Sequence, residues 1–235
     1  METKDLVIIG SPRGKGSNSW YLAQQFIEGY NTQYLWSPKT IFLSQKNKIS
    51  EHLELFRSHE RIIWFFPLYT DAMPGIVKRF LDHLQPEDFA KKEMGYFIIS
   101  GFPEAHHSLY VEQYFIRLTQ KYRANLLGSV IKGGMEGIKM QPAWITRKTR
   151  RQFYLQGKVL AEKGQFDPKL TQKMRKMMEL PKIAKLMIPF LKKAGMIDGY
   201  WNKNLKRYNA YEKRNNKPYL PSKNNRKLAA ELQKT

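Results

Sequence analysis

Short, unbroken apolar runs constrain this fold more than any other feature. Leu6-Val7-Ile8-Ile9, then Ile62 to Phe66 within RIIWFFPLY, then Tyr96-Phe97-Ile98-Ile99 within GYFIISG carry no polar alternation. A strand with one wet face alternates apolar and polar residues; a continuous run needs cover on both faces. Helical patterns lie between the runs. Asn18–Gly29 offers Tyr21, Leu22, Ala23 and Phe26 as one face, and Pro74–Leu84 offers Ile76, Val77, Phe80, Leu81 and Leu84, with proline at its start. Ser108–Tyr122 reads as a further helix, Asn125–Gly134 as another strand, and a weaker strand is expected within Gln33–Leu43, broken near Ser37-Pro38. Strands alternating with helices predict an α/β protein with a five-stranded parallel sheet covered on both sides.

Charge divides the chain. The protein has 235 residues and a formal net charge of +21. Residues 139–235 hold 25 Lys+Arg against 6 Asp+Glu, whereas the first 138 residues hold 16 against 14. The first 138 residues are therefore near-neutral and the rest carries the positive charge; the sequence predicts one domain over residues 1–165 and a basic, mainly helical extension over 166–235. A helix is expected over Thr149–Gly164, ending at glycine. There is no cysteine, which excludes disulfides, thiolate metal sites, iron–sulfur clusters and a cysteine nucleophile. No basic-then-apolar leader and no long apolar window stand out, so a cytoplasmic protein without an integral membrane segment is expected.

The loop GSPRGKGSNS, Gly10 to Ser19, joins the first strand to the first helix. Such a turn presents backbone N–H groups and a positive helix end at the carboxyl edge of the sheet. The Walker spacing fails, because three residues rather than four separate Gly10 from Gly14-Lys15, and Gly16 follows. The dinucleotide fingerprint fails as well, since Ser11-Pro12 follows Gly10 and proline lacks an amide donor. A mononucleotide phosphate loop fits Ser11, Arg13, Ser17, Asn18 and Ser19; a plain turn with an N-cap serine fits them too.

GSPR followed by SNS resembles the phosphate loop of the NADPH-dependent FMN reductase family, cluster-free relatives of iron–sulfur flavoproteins with a flavodoxin-like fold. PLYTDAMPGIVKRFLDHL resembles that family's second motif, matching at Pro67, Tyr69, Pro74, Lys78, Phe80 and Asp82. SGFPE (Ser100–Glu104) and, more weakly, GGMEGI (Gly133–Ile138) resemble its later loops, so the resemblance spans roughly residues 6–140. The resemblance implies a flavodoxin-like three-layer sandwich with FMN at the carboxyl edge of the sheet. It places the phosphate on Ser11, Arg13, Ser17, Asn18 and Ser19. The isoalloxazine would lie along Pro67, Leu68, Tyr69 and Thr70, mainly through backbone N–H groups, with Gly101, Phe102, Pro103 and Glu104 bordering the pocket. NAD(P)H is the implied co-substrate, a flavin, quinone or nitroaromatic the implied acceptor, and a homodimer the implied assembly. The cysteine cluster of iron–sulfur flavoproteins has no counterpart in Leu43–Leu55.

The expected function is an FMN-dependent NAD(P)H oxidoreductase. The alternatives are a flavin-carrying electron-transfer protein reduced by a protein partner, and a basic interaction protein without cofactor. Hydride transfer needs no side-chain acid or base, so no catalytic residue is assigned. The histidines His52, His59, His83, His106 and His107 give no metal site; adjacent residues on a helix diverge by about 100°. The pair His106-His107 reads as a cap or surface feature rather than a group facing the pocket. In Asp167–Met196, the residues Met174, Met177, Met178, Leu186, Met187, Phe190 and Leu191 read as packing contacts. An anionic membrane face or a partner helix is the alternative there. The stretch Trp201–Tyr219 interleaves aromatics with cations, a composition suited to single-stranded nucleic acid or to a flap over a cofactor phosphate.

Overall fold

The computed structural model describes residues 5–33, 37–175, 186–190 and 198–216. Five strands, β1 (Asp5–Ile9), β2 (Lys39–Phe42), β3 (Arg61–Pro67), β4 (Glu93–Ile99) and β5 (Asn125–Lys132), form one sheet in the order β2-β1-β3-β4-β5. Every pairing is parallel. The helices are α1 (Asn18–Tyr30), α2 (Ile49–Ser58), α3 (Gly75–Asp82), α4 (Pro86–Phe89), α5 (Leu109–Lys121), α6 (Ala143–Lys163) and α7 (Pro168–Met174). This is the flavodoxin-like arrangement, whose strand order reverses between β1 and β3.

The apolar runs sit where burial on both faces requires them. In β1, Leu6 and Ile8 join Trp64, Phe66, Tyr96 and Ile98 in a core with Phe56 of α2, Phe80 of α3 and Phe115 of α5. Their neighbours Val7 and Ile9 join Phe65, Phe97 and Val130 against Phe26 of α1 and Phe153 of α6. Phe65 and Phe97 stack across adjacent strands at 4.2 Å between ring centroids. Pro74 is the N-cap of α3 rather than its first residue, with φ −59° and ψ 142°. α2 was not expected from the sequence, although Ile49, Leu53 and Phe56 have helical spacing and all pack on the first core.

The unit that carries the sheet runs from Met1 to Leu180. The sequence starts the extension at residue 166, yet Phe166 is 3 % exposed and packs on the sheet. A Cβ at Gly95 or Gly128 would lie 2.7 or 2.9 Å from its ring. α7 follows, with Asp167 capping the amides of Lys169 and Leu170 and Met174 buried in the same core.

A charged cluster closes the opposite end of the sheet from the strand C-termini. Arg61 donates to Asp5 (3.2 Å) and to Glu93 (2.8 Å), and the Tyr30 hydroxyl donates to Asp5. The Asp5 and Arg61 side chains are 8 % and 19 % exposed. Removing the cation leaves a buried carboxylate with Tyr30 as its one side-chain donor among the described residues, so Arg61→Ala is expected to lower unfolding free energy by about 2 kcal/mol. Urea denaturation followed by circular dichroism measures this, and an unchanged midpoint would contradict the assignment.

The second unit, Pro181 to Thr235, contains a helical turn over residues 186–190 and a helix Asp198–Arg207. Leu186 and Phe190 are exposed. The Tyr211 ring already has Arg214 at 4.0 Å and Lys206 at 5.0 Å from its centroid. Met177, Met178, Pro181, Leu191 and the last nineteen residues lie outside the described residues.

Candidate functional site

A cleft of about 380 Å³ opens at the C-terminal ends of β1, β3 and β4, at the point where the strand order reverses. Its helix-side wall is the loop from Gly10 to α1. Gly10 is required by crowding, since a Cβ there would lie 2.4 Å from Val77 and 2.9 Å from Phe66. Gly14 has φ +52° and starts a 3-10 turn, Gly14–Gly16, that brings the chain round to Ser17. The Gly14, Gly16 and Ser17 amides donate back into the loop, to Ser11, Arg13 and Gly14 carbonyls.

Ser17 is the N-cap of α1: its Oγ accepts from Trp20 N at 3.0 Å and donates to Gly14 O at 2.7 Å. Its hydroxyl is thereby committed to the fold. The first two helical residues, Asn18 and Ser19, keep amides that no intrahelical carbonyl can accept. Asn18 Nδ2 donates to the Met135 carbonyl at 2.8 Å, tying the helix start to the loop after β5. Ser19 is 1 % exposed, and its Oγ is buried with no hydrogen-bond partner among the described residues. A buried hydroxyl without a partner costs on the order of 1–3 kcal/mol, which a ligand oxygen at the helix start would relieve.

Arg13 supplies the loop's cation. Its side chain is 60 % exposed and lies 4.0 Å from Glu136. Lys139 reaches back to the Gly16 carbonyl at 2.9 Å; burial first, and then the neighbouring Arg13 charge, push its pKa down. Two cations beside a helix N-terminus, with one carboxylate between the loops, form an anion-attracting end.

The other walls come from β3, β4 and the loop after β5. Leu68, Tyr69, Ile99 and Met135 give the cleft its apolar middle. The amide of Leu68 donates to the Ile99 carbonyl and that of Tyr69 to Ala72, so these two amides extend the fold rather than face a ligand. Ser100 Oγ accepts from Phe102 N, and the Ser100 carbonyl accepts from Met135 N. A Cβ on Gly133 would lie 2.6 Å from the carbonyl oxygens of Phe102 and Pro103, so the two loops meet backbone to backbone. Thr70 and Asp71 both have positive φ, 49° and 57°, in a tight turn closed by the Tyr69–Ala72 bridge. For a β-branched threonine that conformation is strained.

Nine residues expected from the sequence line this cleft together: Ser11, Arg13, Ser17, Asn18, Ser19, Pro67, Leu68, Tyr69 and Gly101. Thr70, Phe102, Pro103 and Glu104 fall outside the lining. Phe102 is 60 % exposed and packs its ring at 5.2 Å from His107. Ile99, Ser100, Met135 and Glu136 are lining residues that sequence reasoning did not assign. The signal for the last two was the Gly133-Gly134 pair just past β5, which lets a loop fold over the strand ends. His106 and His107 form a turn before α5, and His107 Nδ1 lies 2.9 Å from Asp71 on the β3 turn. Among the described residues there is no cluster able to hold a metal ion.

The comparisons with known proteins agree with this architecture. A family model described as a flavodoxin-like fold matches residues 3–98, which include the Gly10–Ser19 loop and the β3–α3 segment. No curated protein matches the chain. Among solved structures, the Trp repressor binding protein from Bacillus subtilis superposes with TM-score 0.52 and 19 % identity, covering 68 % of this chain and 98 % of that one. The FMN-dependent NADH-azoreductase from Bacillus anthracis, in complex with FMN, gives 0.52 and 14 %, covering 68 % and 100 %. The NAD(P)H:quinone oxidoreductase from Methanothermobacter marburgensis gives 0.52 and 13 %, covering 67 % and 97 %. The chain has a flavodoxin-like fold.

Proposed function

We propose that this chain is an FMN-dependent NAD(P)H oxidoreductase acting on a small-molecule acceptor such as a quinone, a flavin, or an azo or nitroaromatic compound. The observation that carries the reading is the unpartnered, buried Ser19 hydroxyl at the start of α1, in a cleft at the strand-order reversal. Two of the similar folds are described as FMN-dependent or NAD(P)H-linked reductases, which supports the same class.

The residues present suit FMN. Ser11, Ser19 and the Asn18 and Ser19 amides would hold the phosphate, with Arg13 as its counter-charge and Ser17 shaping the helix start. Leu68, Tyr69, Ile99 and Met135 would face the apolar body of the ring, and Pro67, Ser100 and Gly101 its polar edge. The Gly101 amide has no acceptor among the described residues, which makes it a donor for that edge. When bound, FMN would supply the redox chemistry, taking two electrons and a proton as hydride from the nicotinamide and passing them to the acceptor. The protein's share is position, exclusion of water and donors of fixed direction. Tyr69 and Phe102, 40 % and 60 % exposed, offer the rim on which an acceptor or a second copy would sit. The homodimer implied by the family resemblance and the cytoplasmic setting expected from the sequence belong to the same reading. Among the described residues no helix is long and apolar enough to cross a membrane.

The deciding experiment is a visible spectrum after FMN addition and desalting, followed by anaerobic titration with NADPH and then NADH. Retained flavin that bleaches with either nucleotide supports the enzyme. Retained flavin that bleaches with neither makes the chain an electron carrier, and flavin lost on desalting removes the cofactor from the reading. Arg13→Ala is expected to weaken FMN binding about fivefold. That is less than for a buried contact, because solvent screens an exposed guanidinium. Fluorescence titration measures it, and an unchanged affinity would remove Arg13 from the phosphate.

A further inference from the structure

A second cavity lies between α2, α3 and the segment after β2, and shares no lining residue with the first. Ile49, Ile76 and Phe80 give it an apolar floor, and the side chains at its mouth are Lys46 and Arg79. Among the described residues no aspartate or glutamate lines it. Glu51, beside it on α2, is engaged by Lys48 at 3.2 Å. Neither Lys46 nor Arg79 has an ion-pair partner among the described residues.

His52 is the informative residue. It is 2 % exposed, lines the cavity, and has no hydrogen-bond partner among the described residues. Burial lowers its pKa, so near neutrality the ring carries one N–H and one bare nitrogen. His83, at the opposite wall, gives its Nδ1–H to the Arg79 carbonyl at 2.7 Å, since a carbonyl only accepts. An apolar chamber with two unpaired cations at its mouth and an unpartnered donor inside matches an amphipathic anion.

We propose that this cavity binds a small carboxylic acid with an apolar body, its carboxylate held by Arg79 and Lys46 with His52 donating, and its body laid on Ile49, Ile76 and Phe80. The site is independent of the cleft at the strand ends. A ligand there would bridge α2 and α3, the two helices covering β1 and β3 on that face of the sheet.

The test uses the full-length protein labelled with ¹⁵N-histidine, the His52 resonance being assigned with His52→Gln. Benzoate is the probe and benzamide its neutral counterpart. Benzoate is expected to shift His52 saturably, with benzamide binding at least about tenfold more weakly and Arg79→Gln costing benzoate about tenfold, the loss typical of one charge-assisted contact. The response is expected to persist when FMN is present in excess. An unmoved His52, equal binding of benzamide, or an unaffected Arg79→Gln would overturn the proposal. Loss of the response on adding FMN would also overturn it, by assigning benzoate to the other cleft. Failure of FMN to bind at all would sink the oxidoreductase reading and leave this one standing.

Discussion

Gly157→Ala is expected to cost about 3 kcal/mol of folding stability, a large fraction of what a domain of this kind has in reserve. α1 and α6 touch at two glycines. A Cβ on Gly157 would lie 1.9 Å from the Phe26 carbonyl oxygen, and one on Gly29 would lie 1.9 Å from that of Tyr154. Both obstacles are backbone within helices, so no rotamer change relieves the clash. The helices must separate, and the separation loosens Phe26, Tyr30, Phe153 and Leu160, all essentially buried in the core on that side of the sheet. Alanine returns about 1 kcal/mol of helix propensity, already counted in the net figure. Gly75→Ala is the control: nothing lies within 4 Å of its Cβ direction, so it is expected to be neutral or stabilising by about 0.5 kcal/mol. The double variant Gly29→Ala/Gly157→Ala is expected to cost less than the sum, because one separation accommodates both methyls. Urea melts of the parent, Gly29→Ala, Gly157→Ala, the double variant and Gly75→Ala decide this. A Gly157→Ala protein as stable as its parent would show that the helices do not approach so closely.

That contact also shows what a sequence conceals. Gly29 looks like the glycine that ends a helix, yet α1 continues to Tyr30 and Gly29 is there for close approach. Gly157 sits inside a helical pattern, where an isolated glycine signals packing without saying against what. The strands were legible because burial on both faces leaves an apolar run that nothing else in a soluble domain requires. β2 was the weakest, and the structure explains why: it is an edge strand of four residues, with only Ile41 and Phe42 buried. α2 was missed although its spacing was there, because its face is short and includes a histidine, which the eye does not count as apolar.

The cleft was legible in the same uneven way. The loop from Ser11 to Ser19 is contiguous, so a motif captures it whole. The β4 and β5 loops meet only through tertiary structure: Gly133 admits the Phe102 and Pro103 carbonyls, and this brings Met135 and Glu136 over the strand ends. Ser100 rather than Phe102 or Glu104 faces inward for that reason. The idea that Leu68 and Tyr69 donate amides to a ring could not be tested from sequence, since it depends on Ile99 and Ala72 as competing acceptors.

Ser19→Asp is expected to abolish useful FMN binding while leaving the fold intact, lowering affinity at least about 100-fold, or about 2.7 kcal/mol. Ser19 is the second residue of α1, in the turn where the helix's positive end and its free amides favour a carboxylate, which offsets the cost of placing a charge at a residue only 1 % exposed. The same positive end would have to serve the FMN phosphate, and a fixed negative charge at that spot both occupies the free amides and repels the dianion. Ser19→Ala removes only a hydroxyl and is expected to cost about tenfold or less. Riboflavin separates charge from shape, since it has the ring and no phosphate: its affinity for Ser19→Asp is expected to equal its affinity for the parent. Fluorescence titrations with FMN and riboflavin, alongside a thermal melt of each variant, give all the quantities needed. Weak FMN binding with unchanged riboflavin binding and an unchanged melting temperature places the phosphate at the start of α1. Unchanged FMN binding would move the phosphate elsewhere and return the loop to a plain capped turn, whereas equal losses for both flavins would mean that the new carboxylate had distorted the cleft.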